Sequence, residues 1–170
     1  MARIDPLPDA EVPEGLPRLN IFTTLLRNPE LFKAWMPFGG HLLTAGTLSG
    51  QDRELLILRT ALNCASPYEW GQHVRISEAA GIDRETIDRV VTGPDADGWS
   101  DAEAALLRAA DELHRDAKIG DSTWAALAEA YDEKQLIEIP MLIGQYHMVA
   151  FALNSLGVEQ DEGLEDLPAS

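Results

Sequence analysis

Cysteine is nearly absent from this sequence: Cys64 stands alone, so no intramolecular disulfide can form and a disulfide-stapled secreted domain is excluded. Basic residues are scarce as well. Thirteen Lys and Arg face 29 Asp and Glu, a formal charge of -16, which opposes binding to phosphate backbones and to anionic membrane surfaces. Neither nucleic acid nor a membrane is an expected partner. The first residues lack the basic-then-apolar order of a signal peptide, so a cytoplasmic setting is expected. Alternating strand patterns, internal repeats and low-complexity blocks are also missing, which removes β-rich and repeat architectures. One uncharged stretch, Ile139 to Leu156, reaches the length of a membrane span. Its Pro140, Gln145, Tyr146, His147 and Asn154 would need partners inside lipid, so it reads as a central core helix of a protein.

Helical periodicity fills most of what remains and predicts an all-α fold of seven or eight helices in a single domain, residues 1–170. Residues 1–18 read as an extended arm. Residues 159–170, with Glu159, Asp161, Glu162, Glu165 and Asp166, read as a solvated acidic tail. Asn28-Pro29 starts a helix, and Pro37, Gly39 and Gly40 are expected to bend or break it before Thr44. Ser49 and Asp52 start a helix through Leu62 whose Leu55, Leu56, Ile57, Leu58 and Ala61 cover nearly every side, so it should be enclosed by others. Ser66-Pro67-Tyr68-Glu69 supplies cap, first-position proline and capping-box acid for a helix that ends at Gly81. Ser100 with Glu103 and Asp132 with Gln135 box two later helices.

The residues able to carry chemistry lie between Glu54 and His73. Glu69 and His73, four apart, share a helical face that Ile76 and Ala80 continue inward, with Gln72, Arg75 and Glu78 outside. Glu54 lies on the preceding helix, one short turn away. Two carboxylates and an imidazole can thus converge, and burial against neighbouring charge can tune such groups to exchange protons near neutrality. The same residues also fit a structural role: a capping box, an ordinary i,i+4 pair and a first-turn acid. Tyr146, His147 and Asn154 can line the same cavity or simply satisfy neighbouring backbone. His41 and His114 show no matching ligand partners and no His-Cys spacing indicates zinc, so no metal is expected. Trp35, Trp70, Trp99 and Trp124 read as core or subunit-contact residues.

Leu48-Ser49-Gly50-Gln51-Asp52-Arg53-Glu54-Leu55, then Tyr68-Glu69-Trp70 with His73, then Ala79-Ala80-Gly81-Ile82 resemble the carboxymuconolactone decarboxylase and alkylhydroperoxidase-D family. Setting Glu54 and His73 on the family's Glu and His puts Ser66 and Glu69 where its two redox cysteines stand. The resemblance therefore implies an alkylhydroperoxidase-D-like helical bundle without that thiol chemistry, since serine replaces neither a thiolate nor a resolving thiol. Cys64 lies two residues before the motif position and reads as a small buried residue. On the decarboxylase side, the resemblance implies a cofactor-independent lyase or isomerase acting by proton transfer on a small lactone, keto acid or similar carbon acid. His73, Glu69 and Glu54 are then catalytic, with Glu69 orienting His73. Tyr146, Ser66 and Arg59 would bind substrate, Arg59 through a carboxylate unless a salt bridge occupies it. The alternatives are a catalytically silent oligomeric or binding protein and a thiol-dependent peroxidase. The scaffold further implies a homotrimer or hexamer.

Overall fold

The computed structural model describes residues 2–169; Met1 and Ser170, the outer ends of the arm and tail, lie outside the described residues. Eight α-helices run in the order α1 (Asn20–Leu25), α2 (Pro29–Thr44), α3 (Gly50–Asn63), α4 (Pro67–Ala79), α5 (Arg84–Thr92), α6 (Asp101–Asp116), α7 (Asp121–Ala130) and α8 (Glu133–Leu156). No strand occurs among the described residues.

The middle of the bundle is α3. Leu55, Leu56, Ile57, Leu58 and Ala61 are all fully buried, and α4, α5, α6 and α8 pack around them. Each large apolar side chain contributes roughly 1.5–3 kcal/mol through burial, so a helix apolar on nearly every side is stable only at the centre. Two clusters result. One joins α3 to α6 and α8 through Leu56, Ile57, Leu106 and Leu142; the other joins it to α4 and α5 through Leu55, Leu58, Trp70 and Ile87. Helix starts follow the expected chemistry at Asn28, Ser49, Ser100 and Asp132, each of which accepts a first-turn backbone N–H.

Three expectations are corrected. Helix α2 is not broken, because it continues through Pro37, Gly39 and Gly40 to Thr44 with Phe32, Gly39 and Leu42 buried. Gly39 is there for proximity: a Cβ would stand 3.2 Å from Gln145 Nε2 and 3.5 Å from the Trp35 ring, so glycine lets α2 approach α8 this closely. Helix α8 is enclosed on one side only. Ile139, Leu142, Ile143, Val149 and Leu153 face inward, while Ile137, Met141, Met148 and Phe151 are about half or more exposed. It is the one helix among the described residues long and apolar enough to cross a membrane, and its inner side packs on α3 and α6.

The third correction concerns the acidic tail, which is docked. Asp161 Oδ2 accepts from the Tyr68 hydroxyl at 2.5 Å and from Gln72 Nε2 at 2.6 Å, and Oδ1 accepts the Asn20 backbone N–H at 2.9 Å, capping α1. Glu165 pairs with Arg84. A Cβ on Gly71 would meet the Glu165 carbonyl at 2.7 Å and Leu164 Cβ at 2.8 Å, so the tail lies directly on the backbone of α4. The N-terminal arm is tied down too, with Arg3 N–H donating to the Leu156 carbonyl and Leu7 N–H to that of Thr23.

Candidate active site

Between α3 and α4 the chain turns through Cys64, Ala65 and Ser66. Ala65 takes the left-handed conformation (φ 46°) and Ser66 N–H donates to the Ala61 carbonyl at 2.9 Å, a Schellman closure that usually employs glycine. This tight turn sets the two helices side by side and brings Glu54, Glu69 and His73 together.

Their pairing differs from the expected one. His73 Nδ1 lies 2.7 Å from Glu54 Oε2, whereas Glu69, on the same helix as His73, has no hydrogen-bond partner for either carboxyl oxygen. Glu54, not Glu69, orients the imidazole. Ser66 occupies the N-cap of α4 without making the cap bond, and its Oγ is buried and unpartnered, so the Ser66–Glu69 capping box does not form.

The two carboxyls are driven apart electrostatically. Burial alone would raise Glu54, but the hydrogen bond and charge of His73, aided by Arg53 Nε at 3.0 Å, outweigh it and hold this carboxyl below its ordinary range. It is ionised. Glu69 is 2% exposed and nothing compensates it, so burial pushes its carboxyl well above the ordinary range and keeps it protonated. An ionised and a neutral glutamate beside one histidine form an acid–base set of the kind in which environment divides the roles.

His73 and Glu69 open on a cavity of about 170 Å³ between α1, α2, α4 and α8. Tyr146 stands edge-on to His73, ring centroids 5.0 Å apart, and burial, reinforced by the charge of Glu54, keeps its hydroxyl protonated. Trp35, Gln145, Tyr68 and Gln72 add polar groups to a wall otherwise made of Ile21, Phe22, Leu43, Val149 and their neighbours. Trp35 Nε1 and Gln145 Oε1 are buried without partners. A second cavity of about 120 Å³ adjoins it, lined by apolar side chains such as Leu25, Leu31, Phe32 and Met148, and carries no acid–base group.

Of the expected site residues, His73, Glu69 and Tyr146 line the cavity and Glu54 lies behind His73; Ser66 and Arg59 do not line it. Arg59 binds Asp111 in a fork, Nε–Oδ1 2.6 Å and Nη2–Oδ2 2.8 Å, and donates to the Val90 carbonyl at 3.0 Å. It is the salt bridge, not a substrate ligand. Gln72, expected outside, is buried and holds the tail, while Ile76 and Ala80, expected inside, are exposed, with Ile76 at the cavity. Sequence spacing carries no sign that Trp35, Gln72 and Gln145 join the site, since they come from three helices that meet only in the fold. Cys64 is half-buried, and burial pushes its thiol up to about 12. Its neighbours also differ from expectation, because His114 Nδ1 and His147 Nε2 stand near it.

This bundle, with its Glu–His pair between α3 and α4, is an alkylhydroperoxidase-D-like helical fold. The alkylhydroperoxidase AhpD core protein of Ralstonia eutropha JMP134 matches with a TM-score of 0.75 at 20% identity, covering 85% of this chain and 77% of that one. The debrominase Bmp8, solved as a cysteine-to-alanine variant in complex with 2,3,4-tribromopyrrole, matches at 0.82 and 16% identity, covering 94% and 91%. An uncharacterised peroxidase-related protein from Silicibacter sp. TM1040 matches at 0.78 and 14%, covering 93% of both. No functionally curated protein matches by sequence. Residues 29–112 match the model of the Carboxymuconolactone decarboxylase family, and this chain, with one cysteine, has no cysteine pair.

Proposed function

We propose that this cavity is the active site of a cofactor-independent lyase or isomerase that moves a proton on a small carbon acid, with an uncharged lactone or ketone as the preferred substrate. The observation that carries the reading is the contrast between Glu54, bonded to His73 Nδ1 at 2.7 Å, and Glu69, buried at the cavity with neither carboxyl oxygen partnered. Glu54, ionised, accepts the Nδ1 proton of His73, which leaves Nε2 as the base. His73 takes a proton from the carbon beside the substrate carbonyl and becomes an imidazolium that Glu54 stabilises. Neutral Glu69 donates a hydrogen bond to the carbonyl oxygen as negative charge gathers there. Return of the His73 proton to another carbon of the enolate completes an isomerisation. A lyase step needs a carboxylated substrate instead: its carbon–carboxylate bond breaks, the electron pair stays on the enolate as carbon dioxide leaves, and a protonated His73 supplies the proton to that carbon.

Preference for an uncharged substrate follows from the lining. No Lys or Arg faces the cavity among the described residues, and Arg59 is engaged by Asp111. A substrate carboxylate would have only an imidazolium to meet it. The unpartnered Trp35 Nε1 and Gln145 Oε1 supply a donor and an acceptor for a small polar ring. The debrominase relative was solved with a small ring, 2,3,4-tribromopyrrole, so the scaffold is compatible with a ligand of that size.

The test is a panel of neutral lactones and ketones beside their carboxylated counterparts, with deuterium uptake at carbon followed by NMR in heavy water. Uptake by the neutral compounds supports the proposal. Preference for carboxylated ones moves the site toward decarboxylation, and absence of exchange throughout leaves a silent binding scaffold. Cys64→Ser should keep full activity, and the parent should show no thiol-dependent peroxide turnover, because the lone thiol has no resolving partner.

A further inference from the structure

Three side chains outside the proton-transfer site converge at one end of the bundle. Cys64 caps α3, His114 lies in the last turn of α6 and His147 is midway along α8. Their ligand atoms all lie within 4.8 Å of one another. Cys64 Sγ is 3.9 Å from His114 Nδ1, which is 3.1 Å from His147 Nε2.

From this geometry we infer that Cys64, His114 and His147 form a binding site for a zinc-like divalent cation, separate from the acid–base site and independent of the function proposed for it. Metal–nitrogen bonds near 2.0–2.1 Å and a metal–sulfur bond near 2.3 Å make the edges of a tetrahedron about 3.4 Å between nitrogens and about 3.6 Å between sulfur and nitrogen. The two measured edges straddle these values within a few tenths of an ångström. The third, between Cys64 Sγ and His147 Nε2, lies within 4.8 Å and closes by a rotation of the half-buried Cys64 side chain.

The surroundings of the trio also suit ligation. His147 Nδ1 lies 2.9 Å from the Ile143 carbonyl, an acceptor only, so it carries the proton and leaves the Nε2 lone pair facing the other two residues. Such a backbone partner is how metal-ligating histidines are commonly oriented. Asn154 Nδ2 donates to the Cys64 carbonyl at 2.9 Å and fixes the backbone from which Sγ projects. Phe151 packs edge-on to His147, ring centroids 5.8 Å apart. Two imidazoles and a thiolate select zinc and its neighbours over magnesium or calcium, which prefer oxygen. Three protein ligands leave a fourth position for water or a small ligand. On binding, the Cys64 thiol and the imidazole hydrogen bond between His114 and His147 yield to the cation; the thiol proton passes to solvent and His114 takes its Nε2–H tautomer.

Cobalt(II) titration of the reduced full-length chain tests this by absorption spectroscopy. The site predicts saturation at one ion per chain, intense tetrahedral d–d bands and a sulfur-to-cobalt charge-transfer band. Cys64→Ser removes the charge-transfer band. His114→Ala and His147→Ala each weaken binding by more than the roughly 10–100-fold that loss of an outer-shell partner costs, whereas His73→Gln changes nothing. Circular dichroism of each variant separates loss of a ligand from loss of fold. Weak octahedral bands that persist in all variants would mean scattered carboxylate binding and would overturn the assignment, as would absence of the charge-transfer band from the parent.

Discussion

His73 Nδ1 and Glu54 Oε2 lie 2.7 Å apart across the α3–α4 interface, and this bond, not one along α4, fixes the imidazole. Glu54 is fully buried, so removing its closer partner leaves the charge to Arg53 Nε alone, with one carboxylate oxygen unpaired. Replacement of His73 by alanine should therefore cost about 3–5 kcal/mol of stability, measurable by urea denaturation, whereas His73→Gln, which keeps a donor, should cost much less. Glu54 stabilises the fold above the ordinary carboxylate pKa and loses that contribution as pH falls through its lowered folded value.

Glu69 has the opposite sign. Its folded pKa is raised, so the stability its neutral form permits is fully present below the unfolded value, about 4.3, and is lost as pH rises toward the folded value. Glu69→Gln stays neutral at every pH. The variant should melt above the parent at neutral pH by a margin that shrinks toward zero as pH falls to about 4, while losing activity. Differential scanning calorimetry across that range checks it.

The docked tail gives a separate expectation. Asp161 accepts from Tyr68, Gln72 and the first turn of α1, and hydrogen bonds to a charged group contribute roughly 1.5–3 kcal/mol each when well formed. Asp161→Ala should lower the melting temperature and speed proteolysis of residues 159–170. Gly71→Ala, whose Cβ would strike the Glu165 carbonyl, should do the same without touching a charge. A tail equally protected in both variants would refute the docking.

Along α8, Ile137, Met141, Met148 and Phe151 are exposed on the side away from the core. We propose that this stripe is where copies of the chain meet, since an exposed apolar patch on a helix suits a subunit contact. Light scattering should find a trimer or hexamer, and Met141→Glu with Ile137→Glu should dissociate it while circular dichroism stays unchanged.

Helix boundaries are legible in the sequence because caps act locally: Ser100 and Glu103, or Asp132 and Gln135, satisfy each other within one turn. The enclosed position of α3 is legible for a similar reason, since its own residues leave it almost no polar face. Pairings across the fold are not. Glu69 and His73 have ideal spacing for an i,i+4 pair, yet His73 turns to Glu54 because an ionised partner stabilises it more than a carboxyl that burial keeps neutral. The tail reads as solvated because charge runs usually are, and the partners of Asp161 and Glu165, namely Tyr68, Gln72 and Arg84, lie 81 to 93 residues away along the chain. Separation along the chain likewise hides the approach of His114 and His147 to Cys64.

The central claim, that His73 moves the proton while Glu69 polarises the carbonyl, is tested most directly by deuterium exchange at carbon in the best substrate of the lactone and ketone panel. His73→Gln and Glu69→Gln, each shown to be folded, should lose about a hundredfold to ten-thousandfold in exchange rate. Exchange that persists at the parent's rate in His73→Gln would contradict it.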